Sequence, residues 1–242
     1  MEKPNERIDD LLVGGLKIVQ DKRAFCFGID AVLLADFARE YPSDHTLDLC
    51  SGNGIIPLLL CAKTKTTHFS CVEIQQTAHD LAQKSVTLNA LSERISLYHM
   101  DLKKAPEVFA PHSFSLITCN PPYTEMGRGL VNPKSEKAVA RHELYCSLSD
   151  ILSVSSKLLK PGGIFTMVHR PQRLTDIIEK MREVNIEPKT IRFAYKNAIS
   201  PANLVLVSGM AGGGKELTVL PPLILYDENG HLTQDAKHLY DE

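Results

Sequence analysis

The chain has 242 residues and no apolar run approaching the roughly 20 residues that a membrane span requires. Its first residues, Met1-Glu2-Lys3-Pro4-Asn5-Glu6-Arg7, are charged where a secretory leader would carry an apolar core. The expectation is a soluble, cytoplasmic protein without a membrane partner. No two of its six cysteines form a C-x-x-C pair, and Cys50, Cys71 and Cys119 fall inside apolar, strand-like runs. They read as reduced thiols buried as small hydrophobes, so neither a metal site nor a disulfide is expected. An excess of positive charge is also missing, the formal net charge being -2. A nucleic-acid role would therefore rest on local basic clusters: Lys17, Lys22 and Arg23; Arg128, Lys134, Lys137 and Arg141; and Lys189, Arg192 and Lys196. There is no internal repeat, and the length suits one domain.

From about residue 46, short β-rich runs alternate with stretches of helical periodicity, the order that yields a mostly parallel sheet with helices on both faces. The expected strands are 46–50, 68–74, 95–99, 115–119, 163–169, 190–195 and 203–209. Helices are expected over about 55–63, 76–90, 147–159 and 173–185. Pro161-Gly162-Gly163 reads as the end of a helix before a new strand. The last two strands are joined by a short link containing Ser200-Pro201, which permits only antiparallel pairing. The expected fold is α/β, a seven-stranded, mostly parallel sheet closed by an antiparallel C-terminal hairpin, and it resembles the Rossmann-like sheet of S-adenosylmethionine-dependent methyltransferases. Residues 1–45 read as an extension packed on the core and 46–226 as the main domain. In the extension, Asp30 reads as the cap of a helix over 30–38. Residues 211–215 read as a flexible loop and 227–242 as a polar tail, disordered in part.

The strand ending in Asp48-Leu49-Cys50 runs into Ser51-Gly52-Asn53-Gly54, a glycine turn opening a helix. Gly52 and Gly54 lack a Cβ, so the chain turns tightly and a ligand can lie against backbone atoms. A dinucleotide fingerprint would continue to a third glycine, where Pro57 stands, and Asp48 would repel a pyrophosphate. Asp48 instead suits a ligand ammonium. Glu73, closing the next strand, suits the two hydroxyls of a ribose. Asp101, after the third strand, is either an adenine contact or the cap of the following helix.

After the fourth strand comes Asn120-Pro121-Pro122-Tyr123, which resembles the N-P-P-Y motif of the amino methyltransferases. An exocyclic amino nitrogen is a poor nucleophile because its lone pair is delocalised into the ring, and two acceptors on its hydrogens favour the reactive pyramidal geometry. The Asn120 side-chain carbonyl and the Pro121 backbone carbonyl are candidates for those acceptors, with Pro121 and Pro122 stiffening the loop and Tyr123 offering a face for base stacking. With Phe27-Gly28-Ile29-Asp30-Ala31-Val32-Leu33-Leu34-Ala35, Ala140-Arg141-His142-Glu143 and Leu225-Tyr226-Asp227-Glu228-Asn229-Gly230-His231-Leu232-Thr233, the chain resembles the bacterial tRNA1(Val) adenine-N6 methyltransferase family over nearly its whole length.

The resemblance implies S-adenosylmethionine as cofactor, held by Asp48, Ser51, Gly52, Asn53, Gly54, Glu73 and Asp101, and a tRNA adenine as substrate. Arg128, Lys134, Arg141 and His142 are candidates for guiding the RNA, or belong to a solvated charged loop. Ribosomal RNA or a protein glutamine amide, and a catalytically silent binding module, stand as alternatives. Only about 45 residues precede the first strand of the sheet, too few for the helical substrate domain of glutamine-directed enzymes. The oligomeric state stays open between a monomer and a weak dimer.

Overall fold

The computed structural model describes residues 5–23, 26–123 and 146–240. The chain opens with an antiparallel hairpin, β1 (Glu6–Asp10) and β2 (Lys17–Asp21), which the sequence reading did not anticipate. A buried helix follows, α1 (Ile29–Ala38). Alternating elements then build the sheet: β3 (His45–Leu49), α2 (Ile55–Lys63), β4 (His68–Glu73), α3 (Gln76–Leu88), β5 (Ile95–His99), α4 (Ala105–Val108) and β6 (Phe114–Cys119). After the undescribed segment come α5 (Leu148–Leu158), β7 (Leu159–His169), α6 (Leu174–Glu183), β8 (Ile186–Tyr195) and β9 (Ala202–Ala211). Two short strands, β10 (Thr218–Val219) and β11 (Leu223–Ile224), and the helix α7 (Gln234–Lys237) end the described chain.

The sheet runs β10-β8-β9-β7-β6-β3-β4-β5. All seven expected strands are in it, β3 to β7 pairing in parallel and β9 antiparallel to both β7 and β8. The sequence reading missed β10 and β11, which pair in parallel with the outer edge of β8 and bring the sheet to nine strands. Period-two alternation sorts side chains to the two faces: on β9, Leu204 and Leu206 join the core beneath α1 and α2, while Val205 and Val207 join the core beneath α5 and α6. Helix α1 is apolar apart from Asp30 and Asp36, with Ala31 through Ala35, Phe37 and Ala38 buried, because it packs on α2 and also on β7 and β9.

Three expectations need correction. Gly28, not Asp30, occupies the N-cap of α1, and Asp30 lies inside the first turn. Helix α5 stops at Leu158, and Pro161-Gly162-Gly163 sits within β7 as an irregularity that shifts its register on β6. There Gly162 has φ +75°, and a Cβ on Gly163 would stand 2.8 Å from the Lys160 carbonyl oxygen, so the bulge requires both glycines. The C-terminal segment, expected in part disordered, folds back on the core through residue 240, with Ala236 and Leu239 buried and the Lys63 ammonium on the Leu239 carbonyl at 2.9 Å. Its helix is capped by the Thr233 hydroxyl, which accepts from the Ala236 N–H at 3.1 Å.

Candidate active site

In open α/β sheets ligands bind outside the carboxyl ends of the strands, where the strand order reverses. Here the chain steps outward from β3 to β5 and returns to β6 on the other side of β3. At the carboxyl ends of those strands opens a cavity of about 670 Å³. Its walls include Ser51, Gly52 and Asn53 after β3, Glu73 at the end of β4, Asp101 after β5, Asn120 to Tyr123 after β6, and Arg170 after β7. Phe27 to Ala31 of the extension and Asn203 of β9 complete them.

The turn after β3 is shaped by backbone geometry. Cys50, Gly52 and Gly54 all have positive φ, +59°, +55° and +81°, and Gly54 is the N-cap of α2. Cys50 is thus a strained residue at the mouth of the turn that composition alone did not flag. Glu73 clamps the turn from β4: one carboxylate oxygen accepts the Gly52 N–H and the other the Gln75 N–H, each at 2.8 Å. Each oxygen keeps a further lone pair. Burial pushes the Glu73 carboxyl above its ordinary range, against the opposing pull of those backbone donors. Of the two readings of Asp101, the structure shows the cap: its side chain accepts the Lys103 N–H at 2.9 Å at the start of a short 3-10 turn, and the residue also lines the cavity.

Asp48 and Gly54 are not among the cavity-lining residues. Asp48 is buried, 1% exposed, with one oxygen accepting from the Thr118 hydroxyl at 2.6 Å and the other without a partner. Burial raises its carboxyl to about 7, the Thr118 hydroxyl opposing the rise and the nearby Glu73 adding to it. The side-chain nitrogen of Asn53 is likewise buried and unpartnered.

Across the cavity, the Tyr123 hydroxyl lies 2.8 Å from an Asp30 carboxylate oxygen and 2.6 Å from the Asn120 side-chain oxygen. The Arg170 guanidinium sits 5.1 Å from the centroid of the Tyr123 ring, and the His169 ring meets the same ring edge-on at 5.3 Å. Arg170 is held in turn by the backbone and side-chain oxygens of Asn203, both at 3.1 Å. Burial, with Arg173 and Arg170 nearby, lowers His169 to about 4, so the imidazole is neutral at pH 7 and its Nδ1 accepts the Arg170 N–H at 2.8 Å. The sequence reading missed Asp30 as a site residue, together with His169, Arg170 and Asn203. The signal for Arg170 was its place just beyond the carboxyl end of a strand, the rule that had picked out Glu73 and Asn120. The candidate RNA-guiding residues Arg128, Lys134, Arg141 and His142 lie outside the described residues.

All six cysteines are free, and among the described residues no group of histidines, cysteines and carboxylates is arranged to hold a metal ion. Cys50, Cys119 and Cys146 meet near the floor of the cavity, Cys50 and Cys146 with sulfurs 3.9 Å apart, and burial raises the thiols of Cys71 and Cys119. No helix among the described residues is long and apolar enough to cross a membrane.

The tRNA1(Val) (adenine(37)-N6)-methyltransferase of Parabacteroides distasonis is 29% identical over 228 residues, covering 92% of this chain and 88% of its own. A predicted O-methyltransferase from Agrobacterium tumefaciens superposes with a TM-score of 0.71 at 22% identity, over 88% of this chain and 95% of that one. TYW2 of M. jannaschii, solved in complex with AdoMet, gives a TM-score of 0.58 at 12% identity, over 87% of both chains. The Rossmann-like sheet is therefore shared with known methyltransferases. The model of the methyltransferase small domain matches residues 27–194, a span that holds every described wall residue named above except Asn203, and the chain belongs to that family.

Proposed function

We propose that the protein methylates the exocyclic N6 amino group of an adenine in tRNA, at the nucleotide 3′ of the anticodon of a tRNA1(Val)-type substrate, with S-adenosylmethionine as donor. The observation that carries this reading is that Asn120-Pro121-Pro122-Tyr123 forms one wall of the cavity whose other walls are the glycine turn, Glu73 and Asp101. The name of the P. distasonis relative supports the acceptor.

The cavity residues fit the cofactor. The volume of about 670 Å³ lies in the range of small-molecule sites. Free lone pairs on Glu73 suit the hydroxyls of a ribose, Asp101 suits an adenine amino group, and the Ile74 and Leu102 side chains supply apolar wall. Glu73, Asp101 and Asp30 outnumber Arg170 around the cavity, which favours a cation over a pyrophosphate. Asp48 lies behind the turn with its buried carboxyl raised to about 7 and does not enter that balance, and Gly54 serves as the N-cap of α2. When bound, S-adenosylmethionine supplies an electrophilic methyl group on a sulfonium.

The chain's own residues do the rest. Asn120 and Pro121 hold the two hydrogens of the amino group with their oxygens, so that the nitrogen lone pair points at the methyl carbon. Formation of the carbon–nitrogen bond would break the methyl carbon–sulfur bond and leave a neutral thioether, and the positive charge that would pass to the nitrogen would be stabilised by the Asn120 and Pro121 oxygens already aimed at it. The methylated nitrogen then sheds one hydrogen as a proton, a step needing no strong base. The Tyr123 ring is the seat for the base, and Arg170 lies over that ring where a stacked base would enter. Arg128, Lys134, Arg141 and His142 steer the RNA backbone.

The test is Asn120→Ala, assayed by transfer of labelled methyl to total tRNA from a strain lacking the protein, with nucleoside analysis. The expected result is N6-methyladenosine from the wild type and a turnover lower by about 10²–10³ in the variant, with cofactor binding retained. Near-normal turnover in a folded variant refutes the mechanism. Methyl transfer to ribosomal RNA or to a protein amide, but not to tRNA, moves the acceptor. Failure of the wild-type protein to bind S-adenosylmethionine would favour a silent binding module.

A further inference from the structure

The Tyr123 hydroxyl carries one hydrogen and faces two oxygens, Asp30 Oδ2 at 2.8 Å and the Asn120 side-chain oxygen at 2.6 Å. Burial and the neighbouring Asp30 hold this hydroxyl well above the ordinary phenol range, so the hydrogen stays on it. It can be donated to only one of the two. A carboxylate is the stronger acceptor, since a hydrogen bond to an ionised partner is roughly twice as strong as one between neutral groups. With the hydrogen directed to Asp30, an amide oxygen at 2.6 Å would set lone pair against lone pair. A half-turn of the amide about its last torsion removes the conflict: the NH2 donates to the Tyr123 oxygen, and the carbonyl oxygen takes the opposite side.

We infer that Asp30 is a positioning residue for the methyl-transfer site: by accepting the Tyr123 hydrogen it fixes the Asn120 amide so that its carbonyl oxygen is free to accept from the substrate amino group. This inference deepens the proposed function and rests on it for its catalytic meaning. Two further observations support it. The other Asp30 oxygen accepts the Ala31 N–H at 3.0 Å in the first turn of α1, where the partial positive charge of a helix start favours a carboxylate. A Cβ on Gly28 would stand 2.8 Å from that same oxygen, so the glycine keeps open the space into which the carboxylate turns. The Phe27-Gly28-Ile29-Asp30 segment thus has a chemical task at the acceptor wall, although it precedes the first strand of the central sheet.

The test is a double-mutant cycle on the full chain with Asp30→Ala and Tyr123→Phe. Turnover and KM for tRNA and affinity for S-adenosylmethionine are measured for each protein. Asp30→Ala is expected to lower turnover about 10- to 100-fold, with cofactor affinity within about twofold of wild type. In the Tyr123→Phe background, where the hydroxyl is missing, the same substitution is expected to change turnover by less than about twofold, because Asp30 acts only through that hydroxyl. A purely structural aspartate would cost the same in both backgrounds, and that result, or unchanged turnover in Asp30→Ala, overturns the inference. Asp30→Asn, which keeps the shape and removes the charge, serves if the alanine variant does not fold, and Gly28→Ala should mimic it.

A second readout needs no substrate. In nuclear magnetic resonance of the 15N-labelled protein, the side-chain NH2 of Asn120 is expected to shift in both Asp30→Asn and Tyr123→Phe. If wild-type protein methylates no amine and this shift appears, the proposed function falls while the positioning stands. Absence of the shift overturns the positioning whatever the activity.

Discussion

Asp48 offers the sharpest thermodynamic prediction. Its carboxyl moves from 3.8 to about 7 on folding, chiefly because burial penalises the charge. A group whose pKa is raised by folding contributes stability that is present in full below its unfolded pKa and disappears as pH rises through the folded one. A rise of about three units corresponds to about 4 kcal/mol over the whole range, of which roughly 3 kcal/mol falls between pH 5 and pH 8. The perturbation is Asp48→Asn. Its amide oxygen can still accept from Thr118, and its nitrogen takes the position of the unpartnered oxygen, a fixed cost of about 1–3 kcal/mol. That cost shifts absolute stability but does not depend on pH. Urea unfolding of both proteins at pH 5, 6, 7 and 8 isolates the titration as the change in their stability difference with pH. The wild type should lose roughly 3 kcal/mol relative to the variant across this window. Parallel curves would show that Asp48 does not titrate on folding and would refute the reasoning.

Three other substitutions probe the site and the fold. Glu73→Gln leaves either the Gly52 or the Gln75 N–H facing an NH2 instead of a carboxylate oxygen, so calorimetric affinity for S-adenosylmethionine should fall about 10- to 100-fold; an affinity within twofold of wild type would exclude Glu73 from the cofactor site. Arg170→Ala should reduce the slope of log affinity for tRNA against log salt by about one, as for a single lost phosphate contact, and an unchanged slope would confine Arg170 to packing on Tyr123. Gly209→Ala places a Cβ against the Met181 methyl, at 2.9 Å from Ile186 Cγ2 and 3.0 Å from the Glu187 carbonyl oxygen. Met181 can swing aside but the backbone oxygen cannot, so a loss of about 1–3 kcal/mol in urea unfolding is expected, and a loss below about 0.5 kcal/mol would contradict the tight packing of β8 on β9.

The central sheet was legible because its signal is periodic and local. Short β-rich runs mark β3, β4 and β6, and the residues suited to a ligand stand at or just beyond their carboxyl ends, Ser51 to Asn53 after β3, Glu73 closing β4 and Asn120 after β6. The Asn120 motif and the glycine turn were visible for the same reason. Elements whose stability comes from distant partners left little trace. The polar β1, Glu-Arg-Ile-Asp-Asp, has no apolar alternation to reveal it, and β2 is held on α3 by side chains, the Val19 N–H on the Ser85 hydroxyl at 2.9 Å and the Lys17 N–H on Asn89 at 2.9 Å. The C-terminal segment reads as polar because few of its residues are apolar, yet Ala236 and Leu239 suffice to anchor it. Within the site, Asp30 was visible as a residue but not as a partner of Tyr123, since 93 residues separate them. Reading Asp30 as a cap followed from its place before an apolar helix, and failed because Gly28 took that position.

The far end of the sheet has a consequence for self-association. Without β10 and β11 the sheet would end on β8, a ten-residue strand with a row of unpaired amide and carbonyl groups, the feature that templates strand addition by another copy. The chain covers this border with two separate two-residue pieces, interrupted at Leu220-Pro221-Pro222. Neither proline has an N–H to offer a neighbour. Being short and broken, the outermost rim cannot seed a continuous ladder, so growth of aggregates by edge-to-edge pairing is blocked on this side of the molecule.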